Sequence, residues 1–272
     1  MKTLKRSLLI AFFVVIVVSA MAHFQLMKVP DTFIGEGDSS KFDIELIFTH
    51  PGGGSTENIS DPLSMNMGIP EKFGVWNKGE YTDLTDTLVE YVFTHGQREA
   101  IAYKTSYRVR GMGDFVFTLE PAPYWEENEG KYITQYSKLI LNRAGLPTDW
   151  NMETGMLAEI VPLTWPVNIF DGGTFRGVVL YKGEPVPNAE IEVEFLNAKA
   201  FKGAFADVKE YDFEDGESPA QLIMTDENGV FSFSFPWSGW WGFASLLEGD
   251  PIDGKDQEVG ATITLEVLDK PF

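Results

Sequence analysis

Apolar and polar residues alternate with a period of two along most of this chain, and no stretch carries a sustained helical stripe of period 3.6. That pattern restricts the fold to β-sheets. Residues 39–50 show it most clearly: Phe42, Ile44, Leu46, Phe48 and His50 share one face, Asp43, Glu45 and Thr49 share the other, and Ile47 is the exception. Val89, Tyr91, Phe93 and His95 repeat the pattern, and Gly96 ends that strand. Further strands are predicted over 103–109, 114–119 and 131–142, with an extended stretch over 65–75 and an irregular segment or single helical turn over 146–156.

A break follows at Trp165-Pro166 and Asp171-Gly172-Gly173. Beyond it, Phe175, Gly177, Val179 and Tyr181 are in phase, as are Ile191, Val193 and Phe195, with Glu190, Glu192 and Glu194 expected to face water. Asp226-Glu227-Asn228-Gly229 is a turn leading into Phe231, Phe233 and Phe235, and Ala261, Ile263, Leu265 and Val267 form a closing strand. The expected fold is all-β, with two β-sandwich domains, the second a small immunoglobulin-like or transthyretin-like sandwich. The expected boundaries are a signal peptide over 1–22, a metal-binding sandwich over 23–165 and the second sandwich over 166–272.

The signal peptide rests on Lys2, Lys5 and Arg6 followed by an apolar run over 8–18, too short to span a bilayer. Ala20-Met21-Ala22 and Val18-Ser19-Ala20 are two cleavage frames, releasing a chain that begins at His23 or at Met21-Ala22-His23. Both termini chelate metal. In the first, the amine and imidazole of one residue close a ring; in the second, amine, amides and imidazole form a square-planar set suited to Ni(II) or Cu(II). The absence of cysteine excludes lipid anchoring, thiolate sites and disulfides. A net charge of −20, more negative still without the signal, argues against nucleic acid and anionic lipid as partners. After cleavage no direct membrane insertion is expected.

His23, His50 and His95 are the chain's three histidines. His50 and His95 recur in matching Phe-Thr-His frames at predicted strand ends, and the processed terminus brings His23. If the strands are neighbours, three imidazoles and an amine form a nitrogen-rich site for Ni, Co, Cu or Zn. Met65 and Met67, two apart, are either soft thioether donors or core filler. Glu120 and Glu126 flank an aromatic, proline-rich loop that either roofs this site or packs a domain interface. Trp237, Trp240, Trp241 and Phe243 are assigned to packing. No nucleophile elbow, phosphate loop or His-Glu-x-x-His motif is present, so no catalytic residues are assigned and the chain is expected not to be an enzyme.

Several motifs together resemble one family: Ala22-His23-Phe24, the glycine-rich loop after His50-Pro51, Met65-Asn66-Met67-Gly68 leading to Lys72-Phe73-Gly74-Val75, Glu120-Pro121-Ala122-Pro123-Tyr124-Trp125-Glu126, Gly177-Val178-Val179-Leu180, Thr225-Asp226-Glu227-Asn228-Gly229, and Gly239-Trp240-Trp241-Gly242-Phe243-Ala244. The chain is similar to the periplasmic component associated with nickel/cobalt energy-coupling-factor uptake systems. The resemblance implies a periplasmic protein that binds Ni(II) or Co(II) as transported ligand, with Cu(II) a further candidate, and that serves a membrane metal importer. It implies His23, His50 and His95 as ligands. It departs at Gln135, where the family pattern carries histidine, which leaves the ligand count open. Two other classes compete: a copper oxygenase built on an amino-terminal histidine, and a metal-free structural or adhesion module.

Overall fold

The computed structural model describes residues 23–52, 64–95, 98–201, 204–205, 208–212 and 220–271. The expected signal peptide over 1–22, Gly53 and Gly54 of the loop after His50, and Gly96 lie outside them. The first strands are β1 (Phe24–Lys28), β2 (Phe33–Ile34), β3 (Lys41–Thr49), β4 (Ser64–Met65), β5 (Lys72–Asn77), β6 (Glu80–Asp83), β7 (Val89–His95), β8 (Arg98–Arg108), β9 (Gly113–Glu120), β10 (Tyr124–Glu126), β11 (Lys131–Arg143) and β12 (Ala158–Pro162). They are followed by β13 (Ile169–Phe170), β14 (Thr174–Tyr181), β15 (Glu184–Pro185), β16 (Glu190–Phe195), β17 (Ala220–Met224), β18 (Val230–Ser234), β19 (Gly239–Glu248) and β20 (Gln257–Leu268). The only helical element among the described residues is a 3-10 turn at Thr85–Thr87. No helix there is long and apolar enough to cross a membrane.

The architecture is all-β, as the alternation predicts. An eleven-stranded sheet runs β17-β16-β19-β20-β11-β9-β5-β6, with β2, β10 and β13 added at its side. A five-stranded sheet, β1-β3-β8-β7 with β4 on β3, and a four-stranded sheet of β12, β14, β15 and β18 complete the fold. The large sheet is the shared middle layer. On β9, Phe115, Phe117 and Leu119 enter the core beneath the five-stranded sheet, while Val116 enters the core beneath the four-stranded one. β11 divides likewise, with Leu139 and Leu141 on one side and Ile140 on the other. Successive side chains of a strand point to opposite faces, so a strand between two cores must be apolar on both.

The middle layer takes strands from both halves of the chain, because β11 and β20 pair in parallel from Tyr132↔Gln257 to Leu139↔Thr264. Two buried polar clusters brace it. Asp114, fully buried, accepts hydrogen bonds from Asn142 Nδ2 (2.6 Å), Trp165 Nε1 (3.3 Å) and the amides of Thr148, Asp149 and Trp150. These bonds organise the irregular 146–156 segment, which has no regular structure of its own to satisfy its amides. Further along β11, on the same side of the sheet, Lys138 and Glu159 form a buried ion pair of 2.7 Å.

One sequence expectation fails here. Of Glu190, Glu192 and Glu194, only Glu190 faces water; Glu192 and Glu194 are buried. Glu194 Oε2 accepts the Gly52 amide at 2.7 Å, and Asn197 N donates to Pro51 O at 3.0 Å. Glu194 therefore lies under the chain that leaves His50, with Glu192 beside it. Burial, followed by the neighbouring charge of Glu192, pushes the Glu194 carboxyl well above its ordinary range.

Candidate functional site

β1 pairs antiparallel with β3 in the register Phe24↔Thr49, Gln25↔Phe48 and Leu26↔Ile47. Carried one step beyond the strand ends, that register sets His23 directly opposite His50. Facing residues of an antiparallel pair hold their side chains against each other on one face. The two imidazole rings accordingly stand 4.4 Å apart, centroid to centroid, with Phe48 and Tyr124 around His23 at 5.4 and 6.0 Å. The pair is almost sealed from solvent: His23 is 6% and His50 2% exposed.

Glu126 closes the group. Its Oε2 lies 3.2 Å from His23 Nε2, and its other oxygen accepts the Asn128 amide at 3.0 Å. It sits on β10, which folds back on β11 through Tyr124↔Ile133 and Glu126↔Lys131. The second half of the chain holds this hairpin in place. Lys255 Nζ lies 3.6 Å from the centre of the Trp125 ring, and Lys131 bridges Glu129 and Glu258 at 2.6 Å each. Among the described residues, three or more His, Asp or Glu side chains nowhere form a group able to hold a metal ion by themselves. The His23–His50 pair therefore needs further donors to complete a coordination shell.

Residues 20–249 match the family model described as "Domain of unknown function (DUF4198)". The chain belongs to the DUF4198 family. No curated protein matches it. Among solved structures it is similar to a 1.5-MDa bacterial ice-binding adhesin studied for host cell surface retention (7% identity, TM-score 0.25, 90% of this chain). It is also similar to the D0-D1 domain of Intimin (12%, 0.21, 90% of this chain and 100% of that one) and to the FN1-FN3 domains of chicken CNTN1 (8%, 0.22, 90% and 66%). The chain spans 65% of the adhesin structure. At these TM-scores the neighbours carry no argument; the fold class rests on the strands themselves.

The other sequence candidates of this DUF4198 chain lie elsewhere. The pairing β3-β8-β7 places Glu45 beside Lys104 and Lys104 beside Val89, so odd-numbered residues of β3 share a face with odd-numbered residues of β7. His95 is odd-numbered and His50 even-numbered. They leave the five-stranded sheet on opposite sides despite their matching frames. His95 packs against Phe93 and Phe201, at 5.5 and 5.4 Å. Glu120 pairs with Lys72 at 3.1 Å, facing solvent. Met65 lies opposite Phe48 in the β3–β4 ladder, and Met67 Sδ accepts from Gln25 Nε2 at 3.3 Å. Gln135 Oε1 accepts the Gln25 amide at 2.9 Å, while Ser137 Oγ donates to Gln25 O at 2.8 Å. These two bonds grip β1 one residue beyond Phe24, so Gln135 acts as a strut behind His23. Of the residues at the pair, Glu126 was visible in the sequence only as a loop flank, because nothing local shows that β10 returns to the β1 terminus.

His95 supplies a pH prediction. Burial, then the charge of Arg98, pulls its pKa below the ordinary value of 6.5. The unfolded chain binds the extra proton first, so His95 contributes nothing adverse above pH 6.5 and costs stability as pH falls below it. The urea midpoint of wild type should therefore fall relative to that of His95→Gln between pH 7.5 and 5. A gap that stays constant across that range excludes this role.

Proposed function

We propose that this protein is a periplasmic metal-binding protein that carries Ni(II) or Co(II) to a membrane importer, with His23 and His50 at the centre of its site. The observation that carries the reading is the buried cross-strand imidazole pair at the edge of the segment that begins the described chain. Imidazole nitrogens suit late first-row divalent ions. Removal of the signal at Ala22 would add the His23 amine, a donor that no side chain at the pair supplies. Cleavage two residues earlier would add backbone nitrogens instead. In this reading the ion is cargo, and no bond is made or broken.

Protein with its processed terminus should bind about one Ni(II) per chain in a calorimetric titration. The same protein with one extra residue before the mature start should bind at least roughly 10-fold more weakly, since the outer donors are displaced. Equal affinities would remove the terminus from the site, and no Ni(II) or Co(II) uptake by either form would leave a metal-free structural module. Affinity should fall with decreasing pH below about 8, because the amine (pKa about 7.7–8.0) and then the imidazoles must lose protons to bind.

A further inference from the structure

We infer that Glu126 is the positioning residue of this site: its carboxylate engages Nε2 of His23 and so assigns Nδ1 as the nitrogen that faces the ion. The inference rests on the metal-binding reading above and specifies how the ring is used.

The geometry is direct. Nε2 and Oε2 lie 3.2 Å apart inside a pocket where the residues are 6% exposed on both sides. The contact sets an acceptor against Nε2, which favours the tautomer that carries its proton there and leaves the Nδ1 lone pair for a ligand. Glu126 has little freedom to leave. Its second oxygen takes the Asn128 amide, its own carbonyl takes the Gly130 amide at 2.8 Å, and its strand is paired residue by residue with β11. The Lys255–Trp125 contact clamps the neighbouring residue from above.

The chemistry of histidine makes this choice of nitrogen consequential. Nδ1 is attached next to the Cβ-bearing carbon, so it is the ring atom that closes a small chelate with the residue's own backbone nitrogen. Nε2 lies on the far side and cannot. Both cleavage frames use a backbone nitrogen of His23 or one just before it, so both need Nδ1 turned toward the chain. A carboxylate on the remote nitrogen fixes tautomer and ring orientation and raises the basicity of the coordinating one. Glu126 is thus distinct from a ligand: it touches the ring that binds, on the side away from the ion.

The test uses the processed full-length chain with Cu(II), whose electron paramagnetic resonance spectrum reports the directly bound atoms. Wild type, Glu126→Gln and Glu126→Ala are compared for spectrum and affinity. The expected result is one spectrum for all three proteins. Glu126→Gln, whose amide oxygen still accepts from Nε2, should bind within about 3-fold of wild type, and Glu126→Ala should lose about 10- to 100-fold. A spectrum altered in Glu126→Gln would make the carboxylate a ligand and overturn the inference, even if Glu126→Ala fails to fold. Wild-type affinity in a folded Glu126→Ala would also overturn it. Failure of wild type to bind either Cu(II) or Ni(II) would instead sink the metal-binding reading, and this inference with it.

Discussion

Lys138→Ala should destabilise the protein by about 3–5 kcal/mol, the largest stability effect expected from any single substitution of a charged residue here. Lys138 is fully buried and Glu159 is 2% exposed, with 2.7 Å between them. Glu159 also accepts from the Thr154 amide and hydroxyl and from the Gly155 amide. Burial pulls the Lys138 ammonium below its ordinary pKa despite its partner. For Glu159, burial pushes upward, but the charge and hydrogen bond of Lys138, aided by Thr154, overcome it and the carboxyl ends below its ordinary value. Removing the lysine strands an ionised carboxylate in the core, where neutral donors compensate it only in part. Removing both charges is a different matter, since a buried pair replaced by apolar groups is often nearly neutral. Denaturant unfolding should therefore show Lys138→Met/Glu159→Leu recovering most of the loss. A single-variant effect below about 1 kcal/mol would mean that water reaches the pair.

The consequence reaches the candidate site through β11. Lys138 points to the β12 side of that strand, while its neighbours Gln135 and Ser137 reach the other way to hold Gln25. Loosening β11 should loosen the grip on β1, and with it the seat of His23. Stability and metal affinity are thus expected to fall together in Lys138→Ala, whereas the double variant should restore both.

How much of this was legible in the sequence follows from what period two can and cannot carry. Alternation over 39–50 locates β3 to within two residues at each end, since a strand with one apolar face announces itself. It also places His50 in phase with Phe48. It does not give the pairing register between strands, and a shift of one residue exchanges faces. The identical Phe-Thr-His frames at 48–50 and 93–95 look equivalent for this reason, yet β8 intervenes and sets them on opposite sides. Alternation also assumes that the charged face is the wet one. Glu194 breaks that assumption because the chain leaving His50 lies over it, with the buried Glu192 beside it, and Lys138 breaks it because its partner is 21 residues away. Glu126 was hidden in the same way: its role depends on where a three-residue strand returns, which is a tertiary fact.

The sharpest functional expectation follows from those opposed faces. His50→Ala should weaken Ni(II) binding by more than about 100-fold, because it deletes one of two facing imidazoles at a site with few other nitrogen donors. His95→Ala should change it by less than about 3-fold. His95 lies on the far side of the sheet, at least two strand spacings from His50, about 10 Å, and its ring is held between Phe93 and Phe201. No side-chain rotation carries an imidazole through the sheet to join the pair. The same titration on both variants checks it, with melting curves to confirm that each is folded. Equal losses from the two substitutions would show that the three histidines act on one ion after all. In that event the strand order that separates them must rearrange on binding. A loss confined to His50→Ala fixes the site on the inner face, where the rings of His23 and His50 meet beside the carboxylate of Glu126.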